Sequence, residues 1–207
     1  LGEEYAVANS LQALNAKTLA LSLRNENLTE FPAKILQYPQ LRVLDLAGNA
    51  ITSIPPEIRK MKALRFLNLS VNQITRVPKE LWSLTELRKL NLNLNKLDSL
   101  SEALGNLVNL QELHLSKCGL YSMPASLNRL TGLRILSLSN NQLTTFPSIA
   151  ELRNLRSLNL EKNKITALPD DIGQCTALWE FHIESNLLRT LPAGFGELPA
   201  LQWLYLN

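Results

Sequence analysis

The fold is decided by residues 64–78, which read LRFLNLSVNQITRVP. Leucines at 64, 67 and 69 are followed by an asparagine at 72, an isoleucine at 74 and a valine–proline pair at 77–78. The stretches before and after it, residues 41–55 and 87–97, repeat the same order of residue types. Copies of the pattern start at 18, 41, 64, 87, 110, 133, 155, 178 and 201, so the spacing is 23 residues except for one step of 22. Self-similarity at one fixed period indicates stacked structural repeats.

These leucines, the asparagine and the apolar–proline pair resemble the leucine-rich repeat family. The 23-residue form is similar to the Scribble, Ras-suppressor and plant Ras-group classes and to many bacterial repeat proteins. The resemblance implies an α/β fold, a right-handed solenoid curved into an arc with a parallel sheet on its concave side. Residues 18–207 form this array of about nine repeats, the last of them incomplete. The composition agrees, because 47 of the 207 residues are leucine and 20 are asparagine.

The spacing within each copy also predicts structure without the resemblance. Two leucines alternate with polar residues, which is the period of a strand with one buried face. Strands are therefore expected to begin near positions 20, 43, 66, 89, 112, 135, 157, 180 and 203. The asparagine must bond the backbone of neighbouring copies, because a buried amide needs partners. Cys118 replaces one asparagine, so we expect a local defect there and no site.

The segment that follows each strand turn is predicted to form a short helical or 3₁₀ turn after its proline. One copy has Ser101 in place of that proline, and more helix is expected there. Before the array, Val7, Leu11 and Leu14 recur at helical spacing. Residues 3–16 are therefore predicted to form a helix, and residues 1–17 to form an N-terminal capping unit. The alternative for this helix is an amphipathic segment that binds a partner.

The sequence ends inside a predicted strand, at residues 206–207. We expect that the natural chain continues there, or that another molecule covers the last repeat.

Composition and motifs argue against several classes of protein. The net charge of +3 comes from 21 basic and 18 acidic residues and provides no basic tract for nucleic acid. No apolar run approaches the ~18 residues of a membrane span. His114 and His182 are three copies apart, roughly 14 Å at strand spacing, so they cannot share a metal ion. Cys118 and Cys175 are not expected to form a disulfide. We predict no enzymatic activity, no cofactor and no metal site.

The predicted site is the concave face of the sheet, where polar and aromatic residues point to solvent. An arginine row along this face favours either an acidic partner or a role in solubility and in covering apolar surface. The aromatic residues at the C-terminal end either bind a partner or pack against a further segment. The predicted partner-binding residues are Phe66, Arg65, Arg88, Lys89, Asn91, His114, Trp179, Glu180, His182, Trp203 and Tyr205.

These patterns predict a non-catalytic protein–protein interaction module, a monomer that binds a protein partner and no nucleic acid. Two alternatives stay open. One is the recognition domain of a larger enzyme, which the resemblance allows to be a kinase, a GTPase or a bacterial ubiquitin-ligase effector. The other is a bacterial secreted or surface binding protein. Because clusters of cysteine at the ends of the array are missing, a cytoplasmic or bacterial setting is favoured over an extracellular animal one.

Overall fold

The computed structural model describes residues 5–206 and builds them as one parallel sheet whose strands follow chain order. All nine strands predicted for the array begin at the predicted residue. One further strand, β1, precedes them. The bounds are β1 Val7–Ala8, β2 Ala20–Ser22, β3 Val43–Asp45, β4 Phe66–Asn68, β5 Lys89–Asn91, β6 Glu112–His114, β7 Ile135–Ser137, β8 Ser157–Asn159, β9 Glu180–His182 and β10 Trp203–Tyr205.

The predicted N-terminal helix is wrong over the part of residues 3–16 that the structure describes, residues 5–16. Val7 and Ala8 instead pair with Ala20 and Leu21 as parallel strand β1. This pairing satisfies backbone groups along the edge of β2, which a helix lying over the first repeat would leave unpaired. Leu14 is nevertheless buried in the core. The apolar spacing thus predicted the burial of Leu14 but not the 50% exposure of Val7 or the backbone conformation. Residues 1–4 lie outside the described residues.

Short 3₁₀ turns form the side opposite the sheet, as predicted. They span Ala33–Gln37, Pro56–Lys60, Lys79–Ser83, Glu102–Asn106, Ala125–Arg129, Asp170–Gln174 and Ala193–Glu197. The copy with Ser101 forms the same five-residue turn, so the extra helix expected there is absent. Ser101 accepts a hydrogen bond from the Ala103 amide through its side chain and so caps the turn. From β2 onward, only the connection from β7 to β8, the one shortened by a residue, has no such turn.

The core lies between the sheet and these turns. The middle residue of each array strand from β2 to β9 is fully buried, whereas its flanking residues are mostly half-buried on the other face. Two apolar columns close the core from behind. Their completely buried members are Ile58, Leu81, Leu104, Leu127, Ile172, Met61, Leu84, Leu107, Leu130, Leu152 and Cys175.

A ladder of asparagines runs through the turns that follow the strands. Asn72 shows the pattern: its Nδ2 donates to the carbonyl oxygens of Leu46 and Leu69, each at 3.0 Å. Its Oδ1 accepts from the amide of Ile51 at 2.9 Å. Each amide side chain thus ties its own turn to the preceding copy, as predicted. The same arrangement is made by Asn49, Asn95, Asn141, Asn163 and Asn186.

Cys118 interrupts this ladder, and the expected local defect is present. Its Sγ donates to the carbonyl oxygen of Leu92 at 3.1 Å, but the thiol provides no acceptor equivalent to Oδ1. The amide of Leu97, which an asparagine would bind, donates to the backbone oxygen of Cys118 at 3.0 Å instead. The site is closed to solvent, and burial raises the pKa of the Cys118 thiol to about 11.

Replacing Leu90 with alanine should lower the free energy of unfolding by about 2–5 kcal/mol, because a cavity is left in the core. Arg88→Ala, at an exposed position two residues away, should change it by less than about 0.5 kcal/mol. Urea denaturation of both variants measures the difference. Equal losses would contradict the burial of Leu90 in the core.

Cys118→Asn should raise the free energy of unfolding by about 0.5–1.5 kcal/mol, because an amide N–H is a stronger donor to the Leu92 oxygen than the thiol is, and its Oδ1 restores the ladder acceptor that the Cys118 backbone oxygen now replaces. The converse change, Asn95→Cys, should lower it, since the thiol cannot bind the Ile74 amide that Asn95 now binds at 2.9 Å. Chemical denaturation of the pair checks both signs. A loss of stability in Cys118→Asn would contradict the account of the defect.

Candidate functional site

The candidate site is the solvent-facing side of the sheet, which we call the sheet face. In every array strand the first and third residues point to this side, and parallel pairing aligns them into two columns across the strands. The first column reads Ala20, Val43, Phe66, Lys89, Glu112, Ile135, Ser157, Glu180 and Trp203. The third-residue column reads Ser22, Asp45, Asn68, Asn91, His114, Ser137, Asn159, His182 and Tyr205.

Strands β4–β6 form one network on the sheet face. Lys89 Nζ lies 2.6 Å from Glu112 Oε2 and 5.8 Å from the centroid of the Phe66 ring. The other neighbour of this carboxylate is His114, whose Nε2 lies 3.2 Å from the same oxygen. Two of the predicted site residues, Lys89 and His114, are therefore joined through Glu112, which was not among them, and Phe66 joins the network through Lys89. The sequence could have identified Glu112, because the repeat spacing places it next to Lys89 in the first column.

The remaining predicted residues of this half surround the network. Arg65 and Arg88 immediately precede β4 and β5, and Arg88 is exposed. Asn91 is half-buried, and its Oδ1 accepts a hydrogen bond from the Asn93 amide at 3.0 Å. Closer to the N-terminus, Arg24 pairs with Asp45 at 3.0 Å.

Burial and pairing shift two pKa values in this network. Burial lowers the pKa of His114 below its usual 6.5, although the hydrogen bond to Glu112 opposes the change. Burial by itself raises the pKa of Glu112, but the hydrogen bonds from Lys89 and His114 outweigh it, and the pKa falls below the usual 4.5. Near neutral pH these lowered pKa values keep Glu112 ionised and His114 neutral.

Aromatic residues gather at β9 and β10. Trp203 and Tyr205 are 54% and 42% exposed, and Trp179, which precedes β9, is 41% exposed. The imidazole of His182 stacks on the Tyr205 ring with 4.2 Å between centroids and 6° between planes. The structure thus brings four of the predicted aromatic residues together on β9, on β10 and immediately before β9. We call Trp179, His182, Trp203 and Tyr205 the aromatic cluster.

Two carboxylates hold the imidazole of this cluster. His182 Nε2 lies 3.3 Å from Glu180 Oε1, and Nδ1 lies 3.3 Å from Glu184 Oε1. The second oxygen of Glu180 accepts from the Ser157 hydroxyl at 2.7 Å. This hydrogen bond, followed by the one with His182, lowers the pKa of Glu180. Ser157 and Glu184 were missed as site residues, since their contacts depend on rotamers and not on column position alone.

The predicted residues therefore form two groups and not one continuous patch. Strands β7 and β8 separate the network on β4–β6 from the aromatic cluster, and they present small or aliphatic residues to the sheet face, Ile135, Ser137, Ser157 and Asn159. A partner that uses both groups must extend across these two strands.

The histidine, cysteine and acidic side chains of the described residues are not grouped as in a metal centre. Within residues 5–206, no group of three or more histidine, cysteine, aspartate or glutamate side chains is placed to hold a metal ion. His114 and His182 lie on β6 and β9, three strands apart. Both cysteines are free and buried, and burial raises the pKa of Cys175 to about 12. In the same part of the chain, no helix has the length and apolar character needed to cross a membrane.

Three sequence profiles match the chain. One described as "leucine-rich repeat region" matches residues 15–120, and one described as "leucine rich repeat" matches residues 153–207. A profile for two copies of the repeat matches residues 108–151 and 131–174. A comparison with curated proteins gives no match.

Solved structures share the fold. A leucine-rich repeat protein of Leptospira interrogans is 32% identical over 99% of this chain, with a TM-score of 0.83, and 59% of that chain is covered. The repeat ectodomain of a membrane receptor kinase from Arabidopsis thaliana, in complex with Casparian strip integrity factor 2, is 30% identical over 92%, with a TM-score of 0.83. The plant peptide hormone receptor RGFR1, in complex with RGF2, is 27% identical over 100%, with a TM-score of 0.81. The chain spans only 24% and 34% of these two receptor chains.

Acidification should destabilise the protein through the β4–β6 network. Because the pKa of His114 is lower in the folded state than its usual 6.5, the unfolded chain binds more protons below that pH, and stability falls. Glu112 acts in the same direction at lower pH, since its lowered pKa stabilises the fold only while it stays ionised. His114→Gln should therefore lose less stability than the wild type between about pH 7.5 and pH 5. An NMR titration that finds the pKa of His114 at or above 6.5 would contradict this.

Proposed function

This chain belongs to the leucine-rich repeat family, and on that premise we propose that it is a non-catalytic module that binds a protein partner on its sheet face. The observation that carries the proposal is the exposure of Trp179, Trp203 and Tyr205 beside the stacked His182. Large aromatic side chains contribute much of the binding free energy in typical protein interfaces. Their exposure on the sheet face favours a binding role.

The architecture supports this function. The leucines and the asparagine ladder that hold the fold face away from the sheet face or lie in the turns, so residues of the two columns can differ without disturbing them. Among the structural relatives, one plant receptor was solved with Casparian strip integrity factor 2 and the other with RGF2. A repeat array that presents a surface to a protein or peptide partner is therefore a reasonable template for this chain.

We assign different roles to the two groups. The aromatic cluster is the anchor, because aromatic side chains that lose water on binding contribute most to affinity. The basic region formed by Arg65, Arg88 and Lys89 steers the partner, because charges at the rim of an interface mainly affect the association rate. Phe66, Asn91, His114 and Glu180 complete the proposed contact surface between and around them.

A second function is compatible with the comparisons. The chain spans 24% of the repeat ectodomain of a plant membrane receptor kinase. We therefore also consider that these repeats are the recognition part of a larger protein, whose catalytic activity resides elsewhere. Both functions assign the same binding role to the sheet face.

The two roles can be separated by kinetics. Trp203→Ala should weaken affinity for a protein partner about thirtyfold, equivalent to about 2 kcal/mol, through faster dissociation. Arg88→Glu should instead slow association and flatten its dependence on salt. Arg153→Glu, an exposed charge reversal in the connection from β7 to β8, should do neither. Surface plasmon resonance with a partner isolated by affinity capture measures both rate constants.

The competing explanation is that the aromatic cluster packs against a further segment of the protein. It predicts that Trp203→Ala lowers the free energy of unfolding of the longest chain that can be expressed and leaves partner affinity unchanged. An unchanged affinity would remove the aromatic cluster from the binding surface.

A further inference from the structure

The first column of the sheet contains the same chemical arrangement twice, once complete and once incomplete. On β4–β6 the column reads Phe66, Lys89 and Glu112, and the lysine lies between the ring and the carboxylate. Its ammonium is 5.8 Å from the ring centroid and 2.6 Å from the carboxylate oxygen. An aromatic ring and a carboxylate thus share one cation, which both attract.

On β9 and β10 the column has the ring and the carboxylate without the cation. Glu180 and Trp203 are directly paired in register, and Trp179 immediately precedes Glu180. We propose that this site, which we call the cation site, receives an arginine or lysine side chain of the protein partner, held between the indole faces of Trp179 and Trp203 and the carboxylates of Glu180 and Glu184. The inference rests on the proposed function and specifies the chemistry of the partner.

The two carboxylates are held in place before any partner binds. Glu180 accepts a hydrogen bond from the Ser157 hydroxyl at 2.7 Å, and the two ring nitrogens of His182 lie 3.3 Å from Glu180 and Glu184. The imidazole donates to the carboxylate that faces its N–H, and which one that is depends on the tautomer. The imidazole is in turn stacked on Tyr205. In the part of the chain that the structure describes, the second oxygen of Glu184 is buried and has no hydrogen-bond partner. Because solvent does not reach this oxygen, the attraction of Glu184 for an incoming cation is electrostatic and needs no hydrogen bond to that atom.

The chemistry of the surroundings selects a cation over other groups. An anionic partner would be repelled by Glu180 and Glu184. A neutral apolar group could cover the indoles, but it would remove water from the carboxylates without pairing them, which is costly. A guanidinium or ammonium group satisfies both requirements, since it stacks on an indole and donates to a carboxylate.

The chain's own basic residues near the site do not reproduce the Lys89 arrangement. Lys162 pairs with Glu161 at 2.5 Å. This hydrogen bond raises the pKa of Lys162, and the nearby charge of Glu184 contributes to the rise. Arg156 is exposed immediately before β8, beside Trp179, at a position outside the first column. It is the residue of this chain best placed to compete with an incoming cation, so its replacement by alanine should strengthen binding or leave it unchanged.

The probe that tests the cation site is Nα-acetyl-arginine methylamide, compared with its neutral isostere, Nα-acetyl-citrulline methylamide. The indole N–H resonances of Trp179 and Trp203 report binding by NMR. The indole of Trp82, which is buried behind the core, is an internal reference that should not move. The arginine probe should shift the two exposed indoles to saturation in the millimolar range, and the citrulline probe should bind at least about fivefold more weakly.

Matched variants locate the effect. Glu180→Gln preserves shape and removes the charge, and it should weaken the arginine probe at least about fivefold while leaving citrulline unchanged. Glu151→Gln, the same substitution at an exposed position in the connection from β7 to β8, should have no effect. Equal binding of the two probes, no shift of either exposed indole, or an unchanged arginine affinity in Glu180→Gln would overturn the proposal.

These outcomes are separate from those that test the proposed function. If Trp203→Ala releases a protein partner but the arginine probe does not discriminate, the cation site is refuted and the proposed function stands. If the probe binds as expected but partner affinity is indifferent to sheet-face substitutions, the cation site is supported and the proposed function fails.

Discussion

The structure depends on one recurring interaction, the hydrogen bonds that a buried asparagine side chain makes between neighbouring turns. A buried amide must find both donors and acceptors, and only a turn of fixed shape, repeated at a fixed distance, supplies them. Asn72 contacts Leu46, Leu69 and Ile51, which belong to its own copy and the preceding one. Each asparagine thereby sets the position of its turn relative to the one before. Strand register follows from this, since the strand leads directly into the turn.

Because the asparagine ladder and the leucines determine the strand register, the residues on the sheet face can differ without changing that register. Its columns place residues 23 positions apart in direct contact, so that Phe66, Lys89 and Glu112 form a network although they are distant in sequence. The same rule pairs Glu180 with Trp203. Each position on this surface is defined by its strand and its column, so the residue at one position can change without altering the core.

The sequence predicted the first residue of each array strand correctly. The reason is that the ladder asparagine recurs at nearly constant spacing, and its buried hydrogen bonds are lost if the chain shifts by one residue. The N-terminal segment lacks that marker. The spacing of Val7, Leu11 and Leu14 satisfied a helical pattern, but β2 has backbone groups that a strand satisfies better. The column positions of the candidate site were predictable for the same reason as the strands. The contacts of His182 with two carboxylates and with Tyr205 were not, because they depend on rotamers.

The state of the charges before binding distinguishes the two groups on the sheet face. Lys89 and Glu112 already form an ion pair before a partner binds. A partner that buries this pair removes its hydration without adding an interaction, so little binding free energy is gained. Glu180 and Glu184 share the imidazole of His182, Glu180 also accepts from the Ser157 hydroxyl, and the adjacent indoles are exposed. Covering these indoles and pairing these carboxylates adds interactions that the unbound chain does not have. On the proposals made above, specific affinity should therefore come from β9 and β10, whereas the basic residues near β4 and β5 act on the partner from a distance, before contact.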